Sequence, residues 1–203
     1  MKCKSIQLTI LLILGLLFTP VWAKTTDVTN AENRVISVTR GIVKKLDANI
    51  AVYRSNPDQL TAMIKKEVLP FIDFTAMSKL TLGKYWRKAS KTQQTRFINA
   101  FKEMLIRSYG KAMLKYTGSA IRAGNSVANK KPGYVTVRTI VTPPGRPSIA
   151  ANYDVRNKSG DWKAYNIQIA GISLITNFRT NFTREVGAKG LDALIARLEK
   201  TKK

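Results

Sequence analysis

The chain has 203 residues, with 35 lysines and arginines against 12 acids, no histidine and one cysteine, for a formal charge of +23. The missing histidine removes the side chain most used for proton transfer near neutral pH, and a lone cysteine supplies neither an internal disulfide nor a thiolate cage for zinc or iron. A charge of this size favours polyanionic partners: nucleic acid, phosphate-bearing lipid or an anionic membrane surface.

At the start, Lys2 and Lys4 precede an apolar run from Ile10 to Phe18, and Val21-Trp22-Ala23 follows with residues a signal peptidase accepts. This predicts a secretory export signal over residues 1–23, cleaved after Ala23, because the run is shorter than the ~20 residues that span a bilayer. Cleavage removes Cys3, two lysines and no acid, leaving 180 residues with a charge of +21 and no cysteine. Residues 24–203 read as one domain, without repeat, low-complexity tract or long linker, and packing alone must hold them. Export to the periplasm also makes nucleic acid the least accessible polyanion, and none is expected as a partner.

From Val28 to Tyr53 the apolar residues Val28, Ala31, Val35, Val38, Ile42, Leu46, Ile50 and Tyr53 recur every three or four positions, which predicts one long amphipathic helix. Asn56 before Pro57 predicts a capped second helix, with the stripe Leu60, Met63, Ile64, Val68 and Leu69, stopped by Pro70. A short segment from Phe71 to Leu82 ends at Gly83. Ser90 and Gln93 then form a capping box ahead of a helix whose face carries Phe97, Phe101, Met104, Leu105, Tyr109, Ala112, Met113 and Tyr116, closed by Gly118.

Beyond Gly118 the pattern changes. Ser119 to Ser126, Tyr134 to Thr142, Ser148 to Arg156 and Trp162 to Ile169 are separated by the turn-formers KKPG, PPGRP and NKSGD, which predicts four antiparallel strands joined by hairpins. Val135, Val137 and Val141 share one face of their strand, as do Ile149, Ala151, Tyr153 and Val155 of theirs, while Arg138, Asn152 and Asp154 point the other way. A helix from Ile172 to Val186 follows, with Leu174, Ile175, Phe178 and Phe182 at helical spacing. A last one carries Leu191, Leu194, Ile195 and Leu198, before a lysine-rich end expected to fray. Helices, a meander and helices again predict an α+β domain with helices over one face of a curled sheet.

Chemistry-bearing constellations are absent from the sequence. The acids are scattered, no Asp-x-Asp run suggests a calcium loop, and no glycine-rich loop leads to a lysine in the phosphate-cradling pattern. No glycine-flanked serine nucleophile is present either. Asp73 and Asp154 are candidates for a buried carboxylate site, although isolated acids more often cap helices or pair. The stretch GKYWRKASK interleaves bases and aromatics as base-stacking surfaces do, yet its position after the helix-ending Gly83 suits ordinary packing at least as well. Between Phe74 and Tyr153 fifteen lysines and arginines face the single acid Glu103, a field expected to guide docking on anionic surfaces and to weaken as salt rises.

The segment DWKAYNIQIAGISLITNFRTNF, Asp161 to Phe182, passes from strand to helix at Gly171 while staying apolar on both sides. With the Phe97 helix and the Ile172 helix both able to lie over the dry face of the sheet, a small enclosed cavity between them is geometrically available.

Two blocks resemble a known family. VLPFIDFTAMSKLTLGKYWRKASKTQQTRFINAFKEMLIRSYGKAMLKY, Val68 to Tyr116, and GDWKAYNIQIAGISLITNFRTNF, Gly160 to Phe182, look like the MlaC, or toluene-tolerance, family of periplasmic phospholipid-binding proteins. They keep Val-Leu-Pro, Leu-Gly-x-Tyr, a Phe-x-x-x-Phe helix reaching Tyr-Gly, and Trp-x-x-Tyr before Gly-Ile-Ser. One departure stands out: Asn166 occupies the place of the family's usual aspartate. The resemblance implies a single α+β domain, a twisted four-stranded antiparallel sheet packed with helices in the manner of nuclear-transport-factor-like (NTF2-like) folds and enclosing an apolar lipid pocket. It implies a soluble, monomeric, non-enzymatic carrier without cofactors, whose ligand is a glycerophospholipid. Its partners would be an outer-membrane Mla lipoprotein and porin complex and an inner-membrane Mla ABC transporter, with transient approach to the membrane.

On that reading the expected pocket residues are Val68, Leu69, Phe71, Phe74, Leu80, Phe97, Phe101, Leu105, Tyr109, Val137, Ala151, Tyr153, Ile167, Ile169, Ile172, Leu174, Ile175 and Phe178, with Ala151 and Ile172 as positions where tryptophan would fill the space. Lys84, Arg87, Arg138 and Arg146 are candidates for headgroup or partner contact. Two readings compete: an exported basic scaffold or chaperone that binds anionic surfaces without lipid, and an enzyme with a ketosteroid-isomerase-like cavity using Asp73 or Asp154 as its base.

Overall fold

The computed structural model describes residues 21–200. The expected export signal therefore lies, up to residue 20, outside the described residues, as do Cys3 and the last three residues of the basic end. Among the described residues no helix is long and apolar enough to cross a membrane.

The first helix, α1 (Val21–Ala48), stops at Asn49 and resumes as α2 (Ile50–Ser55), so the continuous apolar stripe is carried by two helices. Asn56 then caps α3 (Pro57–Met63) by accepting from the Asp58 and Gln59 amides, with Pro57 in the first turn as the sequence predicts. Past Met63 the helix widens into a π turn, Ile64–Val68, closed by the Leu69 N–H bonding the Ile64 carbonyl, and Pro70 ends it within a 3-10 turn, Leu69–Phe71. Next come α4 (Phe74–Leu82) and α5 (Lys84–Lys88), separated by Gly83 at φ +55.

Helix α6 (Lys91–Tyr109) opens with the reciprocal Ser90–Gln93 capping box. It ends at Gly110 rather than at Gly118, and the chain continues as a 3-10 stretch, Lys111–Tyr116. Close approach explains the glycine at this position: a Cβ on Gly110 would lie 2.9 Å from Ile64 Cδ1 and 2.5 Å from the Ile106 carbonyl oxygen.

The sheet has six strands, β1 (Ala120–Ala123), β2 (Val127–Ala128), β3 (Tyr134–Thr142), β4 (Ile149–Lys158), β5 (Asp161–Ile169) and β6 (Ile172–Ser173), in the order β1-β3-β4-β5-β6, with β2 also pairing β3. The strand expected over Ser119 to Ser126 forms only as β1, while β2 lies just beyond its expected end, and both pair antiparallel with β3. At the β5–β6 connection Ala170 (φ +50) and Gly171 (φ +81) are the two central residues of a hairpin, the pattern of a type I′ turn. The corner at Gly171 is therefore a tight turn into a two-residue strand, and α7 (Leu174–Lys189) begins only after it, with α8 (Leu191–Lys200) following.

A bulge at Tyr165 reorients β5. Val155 pairs with Ala164 but Asp154 pairs with Asn166, so one residue is skipped. Trp162 and Ala164 before it and Ile167 and Ile169 after it consequently share the inner face, although their numbers change parity. Asn166 is thrown to the outer face beside Asp154.

Packing divides into distinct apolar clusters. Ala31 and Val35 of α1 cover the inner sheet face with Val135, Val137, Val155, Trp162 and Ala164. The helices expected to lie there were α6 and α7; α1 takes the place, its stripe long enough to run along the strands. A second cluster joins α4 to α8, with Phe97, Phe101, Phe178 and Phe182 in mutual ring contact at 5.4 to 5.9 Å. Leu46, Leu60, Met63, Ile64 and Ile106 make a third cluster. Ile121, Val141 and Ala151 make a fourth.

Candidate functional site

These clusters do not meet in the middle. Between them lies a cavity of about 270 Å³. Its floor is the inner sheet face, where Ile121, Val141 and Ile149 form one cross-strand row and Tyr153 pairs with Ile167 and Ala151 with Ile169. Val38, Thr39, Ile42, Val43 and Leu46 of α1 form one wall, and Ile64, Val68 and Leu69 of the π turn and its sequel form another. Leu105, Ile106, Tyr109, Gly110, Met113 and Tyr116 close the side opposite the sheet, with Phe71, Ile72, Phe74, Met77 and Leu174 completing the lining.

The walls are apolar yet incompletely covered. Ile42, Val43, Val68, Leu69, Phe74, Leu105, Met113, Ile149, Ile167 and Leu174 are all only half-buried, and most of them pack on one side against the surrounding clusters while lining the space on the other. Among the described residues the polar side chains in the lining are Thr39 and the tyrosines 109, 116 and 153, and none that lines the cavity is charged. Thr39 donates to the Val35 carbonyl at 2.7 Å and also meets the Tyr153 hydroxyl, whose titration burial pushes up while the Thr39 contact pulls the other way. Tyr153 therefore stays neutral and contributes ring surface. Thr139, on the same dry strand face, is silenced by donating to the Ala151 carbonyl at 2.6 Å.

Of the residues expected around a pocket, Val68, Leu69, Phe71, Phe74, Leu105, Tyr109, Ala151, Tyr153, Ile167, Ile169 and Leu174 surround this cavity. The others lie elsewhere. Phe97, Phe101, Ile175 and Phe178 belong to the helical aromatic cluster, because the N-terminal half of α6 turns its face to α7 and α8 and only its C-terminal half reaches the cavity. Val137 is fully buried under α1. Leu80 sits on the outer side of α4, and Ile172 is 64% exposed at the hairpin tip.

Sequence reasoning omitted the whole α1 wall. Its signal was visible: Val43 beside Ile42 widens the stripe beyond what one packing ridge needs.

The cationic candidates separate in the same way. The Arg146 guanidinium lies 5.9 Å from the centre of the Tyr116 ring, which lines the cavity. Lys84 rests over Tyr85, and with Arg87 it flanks Trp86, which is buried in the helical cluster. Arg138 points from the outer face of β3, between the inward Val137 and Thr139. Lys102, not anticipated, stands 5.6 Å from the ring centre of Phe74.

Neither candidate carboxylate reaches the cavity. Asp73 caps α4 by accepting from the Ala76 amide at 3.0 Å and pairs with Arg156, whose Nε lies 2.8 Å away. Burial opposes its charge, but the Ala76 amide and the Arg156 guanidinium outweigh this and hold the carboxyl below the usual carboxylate range. Asp154 accepts from Thr136 and Asn166, both at 2.8 Å. Among the described residues no cluster of carboxylate, thiol or imidazole groups is placed to hold a metal ion.

The family model described as MlaC protein matches residues 37–200. The intermembrane phospholipid transport system binding protein MlaC of Haemophilus influenzae is 24% identical over 159 residues, covering 77% of this chain and 74% of that protein. Toluene tolerance protein ttg2D of Pseudomonas putida is 30% identical over 159 residues, covering 78% of this chain and 74% of that one. A solved structure of a phospholipid-binding protein from Ralstonia solanacearum, in complex with a phospholipid, superposes with a TM-score of 0.77 over 84% of this chain and 95% of that chain. At 22% identity that last likeness is one of fold.

Proposed function

The chain belongs to the MlaC family, and from that premise we propose that it is a periplasmic phospholipid carrier which encloses acyl tails in the central cavity. The observation that carries this reading is the cavity itself: apolar on every side, without a charged lining residue among the described residues, and bounded by side chains left half-covered where a packed core would bury them. Tails need such surroundings. About 30 methylenes at ~0.8 kcal/mol each make two acyl chains in water unfavourable by on the order of 20 kcal/mol. A bilayer offers the same dry contact, so transfer between membrane and pocket is nearly balanced, and the direction of movement is left to partner proteins.

The ligand of this reading is a glycerophospholipid, its headgroup left at the mouth where Arg146 approaches Tyr116. The protein shuttles it between an outer-membrane Mla lipoprotein and porin complex and an inner-membrane Mla ABC transporter, after loss of residues 1–23 on export. With Asp73 and Asp154 both occupied away from the cavity, neither is placed to act as a base on a bound ligand, and the role we propose is binding and release. The test is transfer of a fluorescent phospholipid from donor to acceptor vesicles: acceleration by the purified protein supports the carrier, and transfer at the rate of vesicles alone overturns it.

A further inference from the structure

The β5–β6 hairpin exposes apolar groups where the fold has no structural need for them. Ile172 is 64% and Ile169 38% exposed, and a Cβ added at Gly171 would meet nothing within 4 Å, so the tip stands clear of its surroundings. The position is not arbitrary. Ile169 and the 38% exposed Tyr109 also line the cavity, which places the tip at its mouth. The Ala170 amide donates to the Ala150 carbonyl at 2.9 Å, and Ile169 pairs with Ile172, so the turn presents side chains outward while its backbone is partnered.

Basic groups surround the same end. The β3–β4 turn just ahead of β4 carries Arg146 over Tyr116, and exposed Lys111 and Lys115 flank the lining residues Gly110 and Tyr116. No Asp or Glu occurs from residue 104 to residue 153. Asp47, which reaches this region, accepts from the Gly118 amide at 2.6 Å.

We propose that the β5–β6 hairpin tip is a membrane-contact element: Ile172 and Ile169 enter the headgroup–acyl boundary of an anionic phospholipid bilayer, while Lys111, Lys115 and Arg146 meet lipid phosphates. The cavity mouth then opens directly onto the lipid it loads or delivers. A few apolar side chains ringed by cations suit an interface with anionic lipid. They are too small a patch for a lasting protein partner, which needs about 800 Å² on each side. This inference rests on the carrier reading.

The experiment is flotation of the protein, produced from its full sequence and purified without detergent, with vesicles of phosphatidylglycerol and phosphatidylcholine or of phosphatidylcholine alone. Wild type and Ile172→Leu are expected to float with the anionic vesicles, less so as salt rises, and Ile172→Ser to bind about tenfold more weakly. Thermal midpoint and co-purified phospholipid should stay unchanged in both variants, because Ile172 is outside the cavity lining. Ile172→Trp should show a blue-shifted emission on vesicles, quenched by brominated phospholipid, against the buried Trp86 and Trp162. Equal vesicle binding by wild type and Ile172→Ser, no binding by wild type, or an emission unmoved by vesicles overturns the contact. If phospholipid still co-purifies in that case, the carrier reading stands; if none does, the carrier reading fails by its own measurement.

Discussion

Asn166 donates from Nδ2 to Oδ2 of Asp154 at 2.8 Å, and its Oδ1 accepts from the Ser173 hydroxyl at 3.0 Å. One buried amide thus joins the outer face of β4 to the start of α7, since Ser173 in turn caps that helix at the Thr176 amide. An aspartate at this position could accept from Ser173 but, when charged, could not donate to Asp154.

Asn166→Asp is therefore expected to destabilise the protein by about 1–3 kcal/mol at neutral pH, through a lost donor and two facing carboxylates. Repulsion raises the folded pKa of that pair above the unfolded value, so the loss is present at high pH and recovers as pH falls through the raised value. Urea unfolding of wild type and variant at neutral and mildly acidic pH checks this. A gap that does not narrow on acidification would show that the charge is not its cause.

Asp73 has the opposite sign. Its folded pKa is depressed below 3.8, so the stability it contributes is complete above that value and is lost as pH falls through the lower folded one. Asp73→Ala also removes the α4 cap and one of the two partners of Arg156, leaving it Tyr134, and should cost about 2–3 kcal/mol at neutral pH. The variant's midpoint should vary less than wild type's below pH 3.8.

Ala151 lies on the cavity floor, opposite Ile169 on the neighbouring strand. Ala151→Trp is expected to occupy the space that acyl chains need, lowering phospholipid content while changing the thermal midpoint little. Full lipid occupancy in a folded variant would remove this surface from the binding site.

Phe101 makes the contrasting case, stacked on Phe97 and edge-on to Phe178 and Phe182. Phe101→Ala should lower stability by about 3–5 kcal/mol. At temperatures where the variant remains folded, its phospholipid content should match wild type, because the aromatic cluster supports the cavity without lining it.

Much of this architecture was legible in the sequence, because local rules and tertiary packing agree there. The Ser90–Gln93 box, the Asn56–Pro57 start and the alternation through β3 and β4 each specify an element from neighbouring residues alone. The Tyr165 bulge was not read from the sequence, although the change from Trp162 and Ala164 to Ile167 and Ile169 carries its signal. Partner choice was not legible. α1 and α6 carry comparable stripes, and only the assembled fold determines that α1 lies on the sheet while Phe97 and Phe101 turn away to α7. The need for glycine at 110 likewise depends on Ile64, distant in sequence, which leaves no room there for a side chain.

The most direct test of an enclosed tail pocket is native mass spectrometry of the detergent-free protein, produced from its full sequence in a bacterial periplasm, with lipid extraction from the same sample. The account predicts one adduct per chain with the mass of a glycerophospholipid, retained through mild activation and matched by the extract. A folded protein at its bare mass, unchanged after incubation with phospholipid vesicles, would contradict it.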